Sequence, residues 1–365
     1  MTEPLKSEER AVLELRRLYR SYGYGPFKMS QFEPLSLYLH HKEFLISEGA
    51  ITFPDTDGTL LALKPDVTLS IVKNYQPAQT PLRKVYYDEN VYRVAGPGRG
   101  YREILQTGVE CLGQVDLVQL AEVILLAARS LETISPRFVL DLSHLGFLSE
   151  ILTPLALPAE QKAAVLACLR QKNRDAMAAL LSDCPADLAE PLLTLTTLSG
   201  PLEEVLPVLA PLAPTEAAQA ALAELKSIAA LLTPFRRQIR LDFSLVNDMS
   251  YYNGLVFRGY VEGIPTGVLS GGQYDQLLVR MGKAARGVGF AVYLDQLERL
   301  DRSPAEAEAD TVLLYEPGAD AAALFAAADQ LRAQGQRVQL RQTAPEAGSV
   351  GRIVRLTGGE VTEVG

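Results

Sequence analysis

The chain has 365 residues, 48% hydrophobic and 22% charged, with a formal net charge of -9, enough for two or three domains around a sizeable core. No run of about 20 apolar residues marks a membrane helix, MTEPLKSEER has no signal-peptide core, and Cys111, Cys168 and Cys184 lack metal or redox spacing, which together point to a reduced cytoplasm. The acidic balance argues against nucleic acid as the main partner, and His40, His41 and His144 are too few and too scattered for a metal centre.

Residues 7–22 show helical periodicity, with Leu13, Leu15, Leu18 and Tyr19 on an apolar side and Gly23 as the stop. Residues 26–32 read as a strand. Residues 60–63 lead through Lys64-Pro-Asp-Val-Thr68 into a helix ending near Tyr75. Strand patterns at 84–87, 91–93 and 103–112 flank a Gly/Pro-rich stretch, 96–100, whose composition suits a hairpin tip. A helix follows over 117–134 and a strand over 137–142. From 145 to 235 the texture is Ala- and Leu-rich, broken by prolines, with no strand pattern. Strands return at 238–243, 255–261 and 267–270, then a loop at 271–275 and a strand and helix over 287–301. The tail suggests a β-α-β unit at 311–315, 319–334 and 337–341, with a further strand or two, or partial disorder, beyond.

Several short signatures fall in one order: K-P-D-x-T at 64–68, Y-R at 92–93, G-R-G-Y-R beginning at Gly98, and Q-x-G-x-E at 106–110. Y-Y-x-G-x-V-F at 251–257, G-G-x-Y-D at 271–275 and V-G-F-A at 288–291 complete the series. The series resembles the catalytic core of class II histidyl-tRNA synthetases, and more closely their non-catalytic relatives, the regulatory subunits of ATP phosphoribosyltransferase. The fold this implies is α+β: a class II synthetase-like antiparallel sheet flanked by helices, in two parts at 1–144 and 237–301. A helical insertion occupies 145–236, a linker 302–309, and a small α/β unit 310–365.

The resemblance implies a histidine site. Asp66 and Thr68 would hold the amino group, Gln106 the amino-acid backbone, Glu110 the imidazole, Tyr252 and Tyr274 the ring faces, and Arg93 the carboxylate. The set is chemically coherent, because a guanidinium fork matches a carboxylate. A buried imidazole nitrogen left without a partner costs about 1–3 kcal/mol, and a charged Glu110 would meet that need and raise the ligand's imidazole pKa. Read without the resemblance, Tyr252 is a core aromatic and Asp66 a helix cap.

Departures from the synthetase pattern set the functional expectation. Asn247 stands where the family has a catalytic arginine, Ser250 where it has an aspartate, and Gln296 where it has an ATP-gripping arginine. A transition state that builds charge on phosphate needs such cations. Val94 and Ala95 replace acidic and aromatic neighbours, Lys64 and Gln273 replace arginines, and Ser30 replaces the proline of the dimer-forming motif. The resemblance therefore implies a regulatory subunit without catalysis or cofactor of its own. It would join the short-form ATP phosphoribosyltransferase catalytic subunit, as dimers within a hetero-octamer, with free histidine as effector and no tRNA or membrane partner. The rival expectations are an active histidyl-tRNA synthetase or related ligase, and a free-standing histidine sensor with another partner.

Overall fold

Helix α1 (Ser7–Ser21) places Ala11, Leu15 and Tyr19 one turn apart, and that stripe is buried. The computed structural model describes residues 6–41, 49–94, 100–246, 251–300, 309–345, 350–357 and 360–364. Its contacts divide at Leu300 into two units. No helix among the described residues is long and apolar enough to cross a membrane.

In the first unit, α1 is followed by β1 (Gly25–Pro26), β2 (Phe32–Pro34), α2 (Leu35–Leu39), β3 (Thr52–Pro54), β4 (Leu60–Leu63) and α3 (Thr68–Asn74). A long hairpin, β5 (Leu82–Val94) with β6 (Tyr101–Gly113), runs into α4 (Leu117–Ile134) and β7 (Phe138–His144). The α4 start is fixed by a capping box: Asp116 accepts from the Gln119 amide at 3.4 Å, and Gln119 accepts from the Asp116 amide at 3.1 Å. Next come α5 (Leu145–Leu152), α6 (Ala159–Gln171), α7 (Arg174–Leu180), α8 (Ala186–Thr197), β8 (Ser199–Pro201), α9 (Leu202–Leu209) and α10 (Glu216–Leu231). The unit closes with β9 (Ile239–Asp242), β10 (Leu255–Val261), β11 (Leu269–Gln273), α11 (Asp275–Arg280) and β12 (Arg286–Tyr293).

Nine of these strands build one sheet in the order β1-β5-β6-β12-β11-β10-β7-β9-β8. Its centre, β5 through β7, is antiparallel throughout, and β1 and β9 join in parallel. One face carries Val109, Phe257 and Phe290 against α1 and α4 in the main core, where the Tyr19 and Phe290 rings lie 6.0 Å apart. The opposite face is covered in part by α3 and α11, which bury Leu69, Val72, Leu277 and Leu278 with Tyr87, Tyr251 and Tyr274. That second face holds the candidate site. The architecture is the expected α+β sheet flanked by helices.

In the second unit, β13 (Thr311–Leu314), α12 (Ala321–Ala333), β14 (Val338–Arg341), β15 (Arg352–Thr357) and β16 (Glu360–Glu363) form a four-stranded sheet in the order β14-β13-β15-β16. Leu313 and Val354 pack against Leu324, Ala328 and Leu331 of its helix.

Four local expectations need correction. Residues 26–32 are not one strand: Gly25–Pro26 pairs with β5, while Phe32–Pro34 joins a separate small sheet with β4 and β3. Between them the Ser30 hydroxyl accepts from the Phe32 amide at 3.4 Å, a local turn that competes with a ladder. The 145–235 region is not strand-free, because β8 pairs antiparallel with β9 at the sheet edge. Three residues containing Gly and Pro carry no alternation to read. Residues 271–273 are not loop but the end of β11, and a Cβ on Gly271 would run into the Gly289 carbonyl and Phe290. Leu294–Leu300 is 3-10 rather than α-helical. The hairpin tip expected at 96–100 falls, but for Gly100, outside the described residues, and the linker expected at 302–309 lies outside them except for residue 309.

Candidate functional site

The β-strand period of two places Gln106, Gly108 and Glu110 of β6 on one face. Their partners on β12 are Tyr293, Ala291 and Gly289, and those of Ala291 and Gly289 on β11 are Ser270 and Gly272. Above this floor lies a cavity of about 390 Å³, part of it open to solvent. All seven residues singled out in the sequence line it: Asp66, Thr68, Arg93, Gln106, Glu110, Tyr252 and Tyr274. Tyr87, Tyr251, Ser270 and Tyr293 line it as well, and were not anticipated as site residues.

Strand glycines make the recess. A Cβ on Gly108 would meet the Tyr87 hydroxyl at 2.6 Å, one on Gly272 the Tyr252 ring at 2.7 Å, and one on Gly287 the Tyr274 ring at 2.5 Å. A Cβ on Gly289 would strike the Glu110 carboxylate. Each of four side chains therefore lies flat where a neighbouring strand has no side chain. Glycine inside a strand is the available signal for such an approach, and it was present at every one of these positions.

Glu110 is the centre of the polar network. It is 2% exposed; one oxygen accepts from the Thr68 hydroxyl at 2.6 Å and the other from the Tyr274 hydroxyl. The Tyr251 hydroxyl hydrogen-bonds to Thr68 in turn. Burial pushes the Glu110 carboxyl up to about 8, against the downward pull of its two hydroxyl partners, and nearby Asp66 adds to the rise. The charge expected for Glu110 is thus absent near neutral pH, because burial outweighs both hydrogen bonds.

Asp66 is also buried, and burial raises its carboxyl while the Leu69 amide and Arg93 oppose the rise. Its oxygen accepts from the Leu69 amide at 2.9 Å, so it serves the first turn of α3 and lines the cavity together. Arg93 is half-buried on β5 and donates its Nε to the Pro65 carbonyl at 3.2 Å, which ties the strand to the loop that carries Asp66. Gln106 is 3% exposed, and its Nε2 has no hydrogen-bond partner among the described residues. A buried orphan donor costs about 1–3 kcal/mol, which a ligand acceptor would recover. Tyr251 stacks edge-on against Tyr252 at 4.7 Å and lies 6.0 Å from Tyr274.

The arrangement presents buried carboxyls, a guanidinium and an unmet amide donor within an aromatic wall. That set suits a small zwitterion with a polar ring.

The departures have partners of their own. Lys64 is fully buried and ion-paired with Glu89. Gln273 donates to Asp275 at 2.5 Å, and Asp275 also accepts from Arg286 and the Gly287 amide. Gln296 accepts from Thr266 and donates to Asp295, both at 2.9 Å. Val94 ends β5. Asn247, Ser250 and Ala95 lie outside the described residues.

The family model for histidyl-tRNA synthetase matches residues 3–297. The chain belongs to that family. Within it, the chain is 32% identical over 343 residues to the ATP phosphoribosyltransferase regulatory subunit of Moorella thermoacetica, covering 90% of this chain and 87% of that one. It is 28% identical over 308 residues to the histidine–tRNA ligase of Archaeoglobus fulgidus, covering 80% and 72%. A solved structure from Bacillus halodurans, described as an ATP phosphoribosyltransferase regulatory subunit/histidyl-tRNA synthetase, superposes with a TM-score of 0.73 at 23% identity, over 97% of this chain and 96% of that one. This last likeness concerns the fold alone.

Proposed function

We propose that this chain is the regulatory subunit of an ATP phosphoribosyltransferase, binding free histidine and performing no catalysis itself. The observation that carries this reading is the cavity: Glu110, Asp66, Arg93 and the unpartnered Gln106 Nε2 converge on one aromatic-walled recess. In it, the histidine ammonium would face Asp66 and Thr68, and its carboxylate Arg93 and Gln106. The ring would lie among Tyr252, Tyr274 and Tyr251 with a nitrogen on Glu110. A protonated Glu110 can donate to a neutral imidazole nitrogen, or pass it the proton and form an ion pair.

The nucleotide side supports the same reading. Gln296, where the family has an arginine, is engaged with Thr266 and Asp295 of its own chain. A carboxamide offers a dipole where a triphosphate demands charge. The likeness to the Moorella regulatory subunit over nearly the whole chain points to a short-form catalytic subunit as partner. In this reading the chains form dimers within a hetero-octamer, and tRNA is not a ligand. Histidine can inhibit such an assembly only by binding two of its conformations unequally, and a coupling of about 1–3 kcal/mol gives about 5–150-fold control.

Calorimetric titration of the full chain with histidine and, separately, ATP tests the reading, together with phosphoribosyl-transfer assays of a short-form catalytic subunit. Histidine binding, no ATP binding, and histidine-inhibited activation of the partner are expected. The likeness to histidine–tRNA ligases supplies the rival, and histidine-dependent pyrophosphate exchange with ATP would establish it instead.

A further inference from the structure

A second cavity, of about 320 Å³ and partly open to solvent, abuts the first and shares Tyr252 and Ser270 with it. Its wall includes Arg258 of β10 and Leu145, the first residue of α5. In the sheet, Ser270, Arg258, Asp141 and Arg240 are successive partners across β11, β10, β7 and β9. The row is therefore polar where it leaves the histidine pocket. The cations acting on Asp141 are Arg240 and Lys172, with Asp242 as its acidic neighbour. Lys172 itself is committed to Asp242 at 2.6 Å.

Arg258 is thus a half-buried guanidinium with no ion pair among the described residues. Among the described residues it hydrogen-bonds to the Tyr260 hydroxyl. Its stem is held against Gly267, where a Cβ would come within 2.9 Å of Cδ. A fixed, half-desolvated charge without a counter-ion is costly unless an anion completes it. Ser270 and Leu145, the first residue of the eight-residue α5, line the same space.

We propose that this second cavity is an anion subsite for a phosphate or carboxylate group, with Arg258 as its cation and Ser270 as its hydroxyl donor. The planar guanidinium fork fits either oxyanion. The occupant would touch the far side of Tyr252, so an anion and an amino acid bound together would share a wall.

Calorimetric titration of the full chain with inorganic phosphate and, separately, malonate, each at low ionic strength and with or without histidine, tests this. At least one of the two ions binds the natural protein, and Arg258→Gln weakens it about tenfold or more. Histidine affinity stays within about threefold in that variant, since Arg258 is outside the first cavity. Binding of phosphate but not malonate assigns the subsite to phosphoryl groups; binding of both assigns it to oxyanions in general.

Where Arg258→Gln does not fold, Ser270→Ala serves, with an expected loss of about threefold or more. The proposal is overturned if neither ion binds the natural protein, or if the variant that folds binds as well as the natural one. Histidine binding without ion binding would defeat this subsite and leave the first cavity's reading standing.

Discussion

Replacing Glu110 with glutamine should stabilise the free protein while weakening its hold on histidine. The carboxyl titrates near 8 when folded, against an ordinary value of 4.5. Between those limits the native state keeps a proton that the unfolded chain has released, so stability falls as pH rises. The group's favourable contribution is complete below 4.5 and is lost as pH climbs through 8. At about 1.36 kcal/mol per unit, the cost is about 3 kcal/mol at pH 7 and levels off near 5 kcal/mol above pH 8. Glutamine never ionises and avoids it. One of the neighbouring hydroxyls, on Thr68 or Tyr274, can turn to accept from its NH2 while the other still donates to its carbonyl oxygen, so the hydrogen bonds survive. Urea unfolding of the two proteins from pH 5.5 to 9 supplies the comparison. The gap in favour of Glu110→Gln should widen by about 1.4 kcal/mol per unit up to pH 8 and stay flat beyond. Parallel curves, or a gap that narrows with pH, would refute the reasoning.

Histidine affinity should be greatest between the ligand's own imidazole pKa, about 6.5, and pH 8, where ring and Glu110 together hold one proton. Above 8 it should fall about tenfold per unit, since that proton must come from solution; calorimetry in two buffers of different ionisation enthalpy measures the uptake, and rising affinity there contradicts the scheme. Lys64→Ala should cost about 3–5 kcal/mol in denaturant unfolding by leaving Glu89 buried and unpaired, whereas Lys64→Met with Glu89→Leu should recover most of it. A loss below about 1 kcal/mol in the single variant would mean that Glu89 escapes to water.

What could be read in advance divides by physical cause. The 117–134 helix was legible to the residue because a capping box and a long apolar period both mark it. The paired long strands of the central hairpin were legible in part, since β5 runs unbroken from Leu82 to Val94 through Asp88, Glu89 and Asn90, residues that look like a turn. Asp88 and Glu89 stay in the strand because Arg16 and Lys64 meet them from elsewhere, and no local pattern reports that. For the site, ordered signatures named seven residues that the sheet register gathers around one cavity. Tyr251 was not among the seven; it is buried, yet its hydroxyl hydrogen-bonds to Thr68 at the cavity wall. The raised Glu110 carboxyl was not legible, because desolvation depends on what packs around a strand and not on the strand itself.

The missing methyls at Gly108, Gly272, Gly287 and Gly289 have a further consequence. A mould cast in paired backbone cannot breathe as loops do, so ligand size is judged by the scaffold before any surface segment moves. Descendants of this chain that came to prefer a bulkier guest would have to redraw the ladder itself, a change that few single substitutions survive.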